Sequence, residues 1–188
     1  MSSEILWYAT RGAGVVSLLL FTGVVLLGVL GAGRWQRPGW PRALTRGLHR
    51  NVALLSLVFL GIHVATAVLD PVAALGPVAA LVPFASSYRP LWVGLGVIAV
   101  DVGIALVLTS ELRKHIGVRA WRAIHWAAYA AWPLAVVHGI GAGTDGRTAW
   151  MIAIDALCVG IVCGAVAWRI VVGGQARTPR RDRATMPA

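Results

Sequence analysis

Long apolar runs constrain this chain more than any other feature of its sequence. The hydrocarbon core of a bilayer is about 30 Å thick, and an α-helix needs roughly 20 apolar residues to cross it. The sequence supplies several such runs, separated by short basic segments, and only 13% of its residues are charged. We therefore predict an all-α integral membrane bundle of about five transmembrane helices, over residues 5–30, 44–69, 91–112, 120–140 and 148–172.

The formal net charge of +10 is distributed in a way that favours a membrane topology over nucleic-acid binding. Of the 17 lysine and arginine residues, all but Arg11, Arg89 and Arg147 lie around the segments after the first and third spans or near the C-terminal end. Basic segments stay in the cytoplasm. We therefore predict an external N-terminus, a cytoplasmic C-terminus, membrane lipid as the surroundings and no nucleic-acid partner.

Two segments are not expected to cross the membrane. Residues 72–90 are apolar but are interrupted by Gly76, Pro77, Pro83 and Pro90, so we predict a re-entrant or surface-lying loop. Residues 1–172 are expected to form a single membrane domain. The tail at 173–188 is polar and basic, a composition that is typical of disorder.

Four of the five histidines fall inside predicted spans, two in the second and two in the fourth. Strongly coordinating side chains inside a bilayer are candidates for a functional role, although a single one is often only an interhelical hydrogen bonder. His49 and His63 are 14 residues apart and His125 and His138 are 13 apart, which is about 20 Å along a helix. The two spans run in the same direction, so His49/His125 share an inner level and His63/His138 an outer level. Neutral imidazole is a good axial ligand for haem iron, and we predict one haem at each level.

The spacing of the second pair conflicts with an ideal helix. At about 100° per residue, 13 residues leave His125 and His138 roughly 140° apart around the helix axis. Pro133 lies between them and cannot bond the carbonyl of Tyr129. We expect the helix to kink or rewind there and to absorb part of the mismatch.

Several other polar residues have weaker claims to a role. Arg46 and Arg122 each precede an inner-level histidine by three residues, so each lies on its histidine's face. They are candidates for pairing with haem propionates, and positive-inside topology explains them equally well. His115 is predicted not to be a ligand. Asp101 and Asp155 fit either a proton relay or a hydrogen bond to a neighbouring helix; the second role is the commoner one, and no catalytic role is assigned to them. Four glycines fit either close approach of a macrocycle or ordinary helix packing: Gly14, Gly23, Gly47 and Gly61.

Two stretches carry a resemblance to a known family, LHRNVALLSLVFLGIH at 48–63 and WRAIHWAAYAAWPLAVVHGIGAGTD at 121–145. With the four-histidine spacing, they resemble the ferric reductase-like transmembrane domain family over roughly residues 5–172. That family includes the membrane parts of NADPH oxidases and ferric reductases and the haem subunit of a bacterial methionine sulfoxide reductase system. The resemblance implies two b-type haems in a multi-pass protein of a bacterial-type plasma membrane, with iron ligated by His49, His63, His125 and His138.

The resemblance also implies a dependence on a partner. Oxidases and ferric reductases of the family carry a flavin and nicotinamide domain after the bundle, whereas only sixteen residues follow Val172 here, without a glycine-rich dinucleotide fingerprint. We therefore expect the chain to be the membrane subunit of an oxidoreductase system and to carry electrons across the membrane. The electrons would come from a separate flavoprotein, which would bind any flavin, or from membrane quinol. One alternative is direct reduction of an external acceptor, such as ferric chelate or oxygen, at the outer haem. Another is a non-redox membrane anchor or small proton-coupled transporter whose histidines are hydrogen bonders or proton carriers.

Overall fold

The computed structural model describes residues 3–32, 41–71 and 75–175, and the regular structure in these ranges is helical. The helices are α1 (Ser3–Ala32), α2 (Arg42–Leu69), α3 (Pro77–Leu81), α4 (Pro90–Glu111), α5 (Arg113–His125), α6 (Ala128–Ala142) and α7 (Ala149–Gln175). Among the described residues, α1, α2, α4 and α7 are each long and apolar enough to cross a membrane. The prediction of an all-α integral membrane bundle is confirmed, and the direction in which it is inserted stays a prediction.

The predicted span at 120–140 is built from two consecutive helices instead of one. Helix α5 begins at Arg113 and ends at His125, and α6 begins at Ala128 after a turn at Trp126 and Ala127. Gly117 interrupts α5 with φ 80° and ψ 157°, a backbone conformation that glycine tolerates because it has no Cβ. The chain therefore bends at Gly117 before it enters the segment that carries the second histidine pair.

The turn between α5 and α6 is wound more tightly than an α-helix. Backbone N–H groups of Ala127, Tyr129 and Ala130 bond the carbonyls three residues before them, at 2.9–3.1 Å. Such winding turns the chain about 120° per residue, so about four residues add roughly 80° and reduce the 140° mismatch to about 60°. The tightened turn includes Tyr129, whose carbonyl lies one helical turn before Pro133.

Two helix pairs and one shared core organise the bundle. Helix α1 packs along α2, α4 packs along α6, and α1 also contacts α6 and α7. The hydrophobic core lies between α1, α6 and α7 and consists of Leu18, Val25, Val29, Trp132, Val136, Met151, Cys158, Val162 and Ala165. Trp132 Nε1 donates a hydrogen bond of 3.0 Å to Thr22 Oγ1 within this interior. Helices α2 and α6, which carry histidines, make no such extensive contact with each other.

The loop predicted at 72–90 and the tail predicted at 173–188 are described only in part. Residues 72–74 lie outside the described residues, and from Leu75 the chain forms α3, which contacts α2 and α4 and buries Ala79. Helix α7 continues to Gln175, so it includes the first three residues of the segment predicted to be disordered. The rest of that tail lies outside the described residues.

The hydrogen bond between Thr22 and Trp132 should contribute measurably to the stability of the bundle. In a double-mutant cycle of Thr22→Val and Trp132→Phe, we expect a coupling free energy of about 0.6 kcal/mol, the average for interhelical hydrogen bonds in a membrane protein. Equilibrium unfolding in mixed micelles measures it. Trp150→Phe is the control, because Trp150 is 49% exposed, and a coupling indistinguishable from zero contradicts the assignment.

Candidate functional site

All four span histidines line one cavity of about 1540 Å³, which is bounded by α1, α2, α4, α5 and α6. Its walls are mainly apolar. It extends from Trp7, Arg11 and Tyr88 at one end to Lys114 and Arg122 at the other. Because α2 packs closely against neither α5 nor α6, its histidines lie across this space from His125 on α5 and His138 on α6.

The structure brings the histidines together in two pairs. The ring centroids of His49 and His125 are 6.3 Å apart with 60° between the ring planes, and those of His63 and His138 are 6.2 Å apart at 83°. If one metal ion bonds a nitrogen of each ring at about 2.0–2.1 Å from opposite sides, and each nitrogen lies about 1.1 Å from its ring centre, the centroids are about 6.2–6.4 Å apart. Both observed separations therefore match the separation that a single ion between the rings requires.

Three of the four histidines are fixed by backbone carbonyls of a neighbouring helix. Their Nδ1 atoms bond these carbonyl oxygens at 3.0, 2.7 and 2.8 Å, from His49 to Val24, from His63 to Thr10 and from His138 to Trp92. A carbonyl oxygen can only accept, so Nδ1 carries the proton and Nε2 keeps an unprotonated lone pair. Metal-ligating histidines show this same arrangement, in which the second ring nitrogen donates to a carbonyl or carboxylate.

A glycine stands four residues after each accepting carbonyl and lets the ring approach the helix backbone. An added Cβ would lie 2.9 Å from His63 Nδ1 at Gly14 and 2.5 Å from His138 Nδ1 at Gly96. At Gly28 it would lie 3.5 Å from His49 Cε1, which is an ordinary contact. The outer pair therefore requires glycine on both supporting helices, and the inner pair tolerates a small side chain at Gly28.

His125 is held differently from the other three. Its Nδ1 is buried and has no hydrogen-bond partner within the described ranges. Its ring stacks on Trp121, with centroids 4.9 Å apart and 30° between the planes. Trp121 in turn donates from Nε1 to Ser110 Oγ at 3.1 Å, and the Arg113 guanidinium lies 4.3 Å from its ring centroid.

The two ends of the cavity differ in charge. Basic residues collect at the end nearest the inner pair, where the lining includes Arg46, Arg50, Arg113, Lys114 and Arg122. Arg50 is paired there with Glu111 at 3.4 Å. At the other end, Arg11 forms an ion pair with Asp145 and lies 3.5 Å from the centroid of the Trp7 ring. An anionic group would therefore be attracted to the inner end.

The remaining residues singled out in the sequence lie elsewhere. His115 and Asp101 are exposed and do not line the cavity. Asp155 is buried on α7, where its Oδ1 has no hydrogen-bond partner among the described residues, so the structure gives no support for the predicted interhelical bond. Of the four predicted glycines, only Gly14 lines the cavity, and it contacts a histidine. The other three do not: Gly23, Gly47 and Gly61.

Sequence reasoning missed the supports of the histidines. Gly28, Gly96 and Trp121 were not identified as supports, although one signal was available. Gly14 and Gly28 in the first span are separated by the same interval as the two histidines of the second span. In two antiparallel neighbouring helices, equal spacings can face one another at both levels.

The donor set fits an iron porphyrin. Each level offers two imidazoles, and no group of three or more His, Cys, Asp or Glu side chains suited to a metal ion occurs among the described residues. A metal held by such a pair needs its other coordination positions filled by another ligand, as the four nitrogens of a porphyrin do. The apolar walls and the basic inner end suit a flat apolar ring with anionic substituents.

The fold and the paired histidines define a multi-pass membrane protein of helical type. A family model described as "Ferric reductase like transmembrane component" matches residues 13–136, and the chain belongs to this family. Membership indicates a membrane electron-transfer module, of a kind that generally works with separate redox partners. The match includes His49, His63 and His125 and ends two residues before His138. No curated protein and no solved structure gives a significant match.

Gly96 should be intolerant of a methyl group, because an added Cβ would lie 2.5 Å from His138 Nδ1. We expect Gly96→Ala to lower the free energy of unfolding by about 1–3 kcal/mol, as overpacking does. Gly103→Ala is the matched control on the same helix, since an added Cβ there meets nothing within 4 Å. Unfolding in mixed micelles measures both, and equal stability of the two variants contradicts the close approach of His138.

Proposed function

We propose that the chain binds two b-type haems and carries electrons across the membrane as the membrane subunit of an oxidoreductase system. His49 and His125 would ligate the inner iron, and His63 and His138 the outer iron. Haem iron supplies one-electron redox chemistry when bound. No catalytic residue is assigned to the chain itself.

The separation of the paired rings is the observation that carries this proposal. Two independent pairs, on different parts of the bundle, both have centroids 6.2–6.3 Å apart. A direct hydrogen bond between two imidazoles would bring the rings closer together, whereas an ion between them sets the same separation twice. The carbonyl bonds of three of these rings leave Nε2 as the nitrogen able to ligate.

The chain's residues have distinct tasks in this proposal. Backbone carbonyls fix the tautomer and the orientation of three imidazoles, and glycines make room for the rings. Apolar side chains would exclude water from the occupied cavity, which would strengthen electrostatic interactions inside it. Arg46 and Arg122 at the inner end would pair with propionate groups.

Electrons would be delivered by a separate flavoprotein partner or by membrane quinol. The basic inner end of the cavity would favour an acidic partner surface at that end. Membrane lipid surrounds the spans.

The non-redox alternative draws on the same hydrogen bonds. Histidines that bond a carbonyl of a neighbouring helix act as interhelical hydrogen bonders, as that alternative expects. It gives no reason, however, for the rings of two separate pairs to lie 6.2–6.3 Å apart in a mainly apolar cavity. Purified protein without any haem would favour it.

The histidine variants test the proposal directly. We expect two b-type haems per chain in detergent-purified protein expressed with ample haem, and one per chain in both His63→Ala and His125→Ala. The two variants should retain different haems, because their histidines belong to different pairs. Pyridine haemochrome assays and reduced-minus-oxidised spectra measure this.

His115→Ala is the control for the histidine variants, because His115 is exposed and lies outside the cavity. It should keep both haems. The proposal is wrong if the parent chain binds none, or if His115→Ala loses haem as the pair variants do.

The two cavity arginines should affect the inner haem alone. We expect Arg46→Gln with Arg122→Gln to lower the midpoint potential of the inner haem, because removing positive charge near the iron disfavours its reduced form. Redox titration measures the shift. Arg119→Gln is the matched control on α5, since Arg119 is exposed and does not line the cavity. An equal shift in the Arg119→Gln control contradicts the pairing of Arg46 and Arg122 with propionates and leaves membrane topology as their only explanation.

A further inference from the structure

The support of the histidines repeats along the bundle, and the repeat fails at one of its four positions. On α1, Gly14 and Gly28 are 14 residues apart, as are His49 and His63 on α2. Each glycine lies four residues after the residue whose carbonyl accepts a hydrogen bond from a histidine. On α4, Gly96 supports His138 in the same way. The residue 14 positions after Gly96 on α4, towards the inner pair, is Ser110 and not a glycine.

At Ser110 the matching carbonyl is already occupied. The residue four before it is Leu106, whose carbonyl accepts from Ser110 Oγ at 2.6 Å and from Thr109 Oγ1 at 3.3 Å. Ser110 also has a Cβ in the place where Gly14 and Gly96 have none. His125 Nδ1, the fourth ring nitrogen, is buried and has no partner among the described residues.

Trp121 connects Ser110 to His125 in place of the missing carbonyl bond. Its indole N–H donates to Ser110 Oγ at 3.1 Å, and its ring stacks on the His125 ring at 4.9 Å. The Arg113 guanidinium, 4.3 Å from the Trp121 centroid, adds a cation–π contact. His125 is therefore oriented by an aromatic ring that gives its Nδ1–H no acceptor.

We propose that Trp121, held by Ser110, is the positioning residue of the inner haem site, and that it makes His125 a weaker axial ligand than the other three histidines. This inference rests on the proposed haem function. An imidazole whose N–H donates to a carbonyl is more basic and stabilises ferric iron more strongly. Without that bond, His125 stabilises the ferric state less, and the inner midpoint potential is higher than a carbonyl-bonded His125 would give.

Two variants of Ser110 distinguish the effect of a new hydrogen bond from His125 to the Leu106 carbonyl from the effect of losing the Ser110 hydroxyl. Ser110→Gly removes the Cβ and the 2.6 Å bond from Ser110 Oγ to the Leu106 carbonyl, which keeps only the 3.3 Å bond from Thr109 Oγ1. We expect His125 then to donate to this carbonyl as the other three histidines do to theirs. Ser110→Ala removes the same hydroxyl bond but keeps a Cβ, which we expect to hinder the approach of His125 to the carbonyl. Redox titration of the haem-loaded protein should show a lower inner potential in Ser110→Gly, a smaller change in Ser110→Ala and an unchanged outer potential in both. Equal shifts in the two variants, no shift in either, or a shift of the outer potential would overturn the proposal.

A second variant tests the part played by Trp121. Trp121→Leu removes the stacking surface, and we expect roughly 10-fold or faster transfer of the inner haem to apomyoglobin, in the range of losses seen when the supports of metal ligands are removed. Trp150→Leu is the control, since Trp150 is exposed and lies outside the cavity. Unchanged transfer in Trp121→Leu contradicts the positioning role. A parent chain without haem overturns the proposed function itself, whereas two haems with indifferent Ser110 and Trp121 variants overturn only this inference.

Discussion

The hydrogen bond from a histidine N–H to a backbone carbonyl of the next helix is the interaction on which the rest of the site depends. It fixes the tautomer, leaves Nε2 with an unprotonated lone pair and ties α2 to α1 and α6 to α4. At the outer level such a bond is possible only because the supporting helices have no Cβ at Gly14 and Gly96. The glycines of α1 and α4 are therefore part of the site, although they carry no reactive group.

The sequence predicts the outline of this arrangement because apolar length and residue spacing survive folding almost unchanged. Span length follows from bilayer thickness, and the sequence separations within His49/His63 and His125/His138 place the histidines at two levels. The tight turn at Trp126–Ala130 was only partly predictable, because Pro133 indicates a disturbance but not its winding. The accepting carbonyls and the stack on Trp121 depend on how the helices pack, so no local pattern near the histidines reveals them.

The two levels of the site are built with unequal supports. At the outer level, both rings donate to carbonyls and both supporting helices need glycine. At the inner level, one ring is held by stacking and the surroundings are basic. Such differences in support and charge are the means by which the chain would tune the two haems that we propose.

The central claim is that each histidine pair shares one haem iron, and electron paramagnetic resonance of the oxidised, haem-replete protein tests it most directly. The account predicts two low-spin ferric species with bis-imidazole ligation. The outer pair, whose ring planes are 83° apart, should give the more strongly anisotropic signal, because nearly perpendicular imidazole planes produce it. High-spin ferric iron at both sites, or a single low-spin species per chain, would contradict the account.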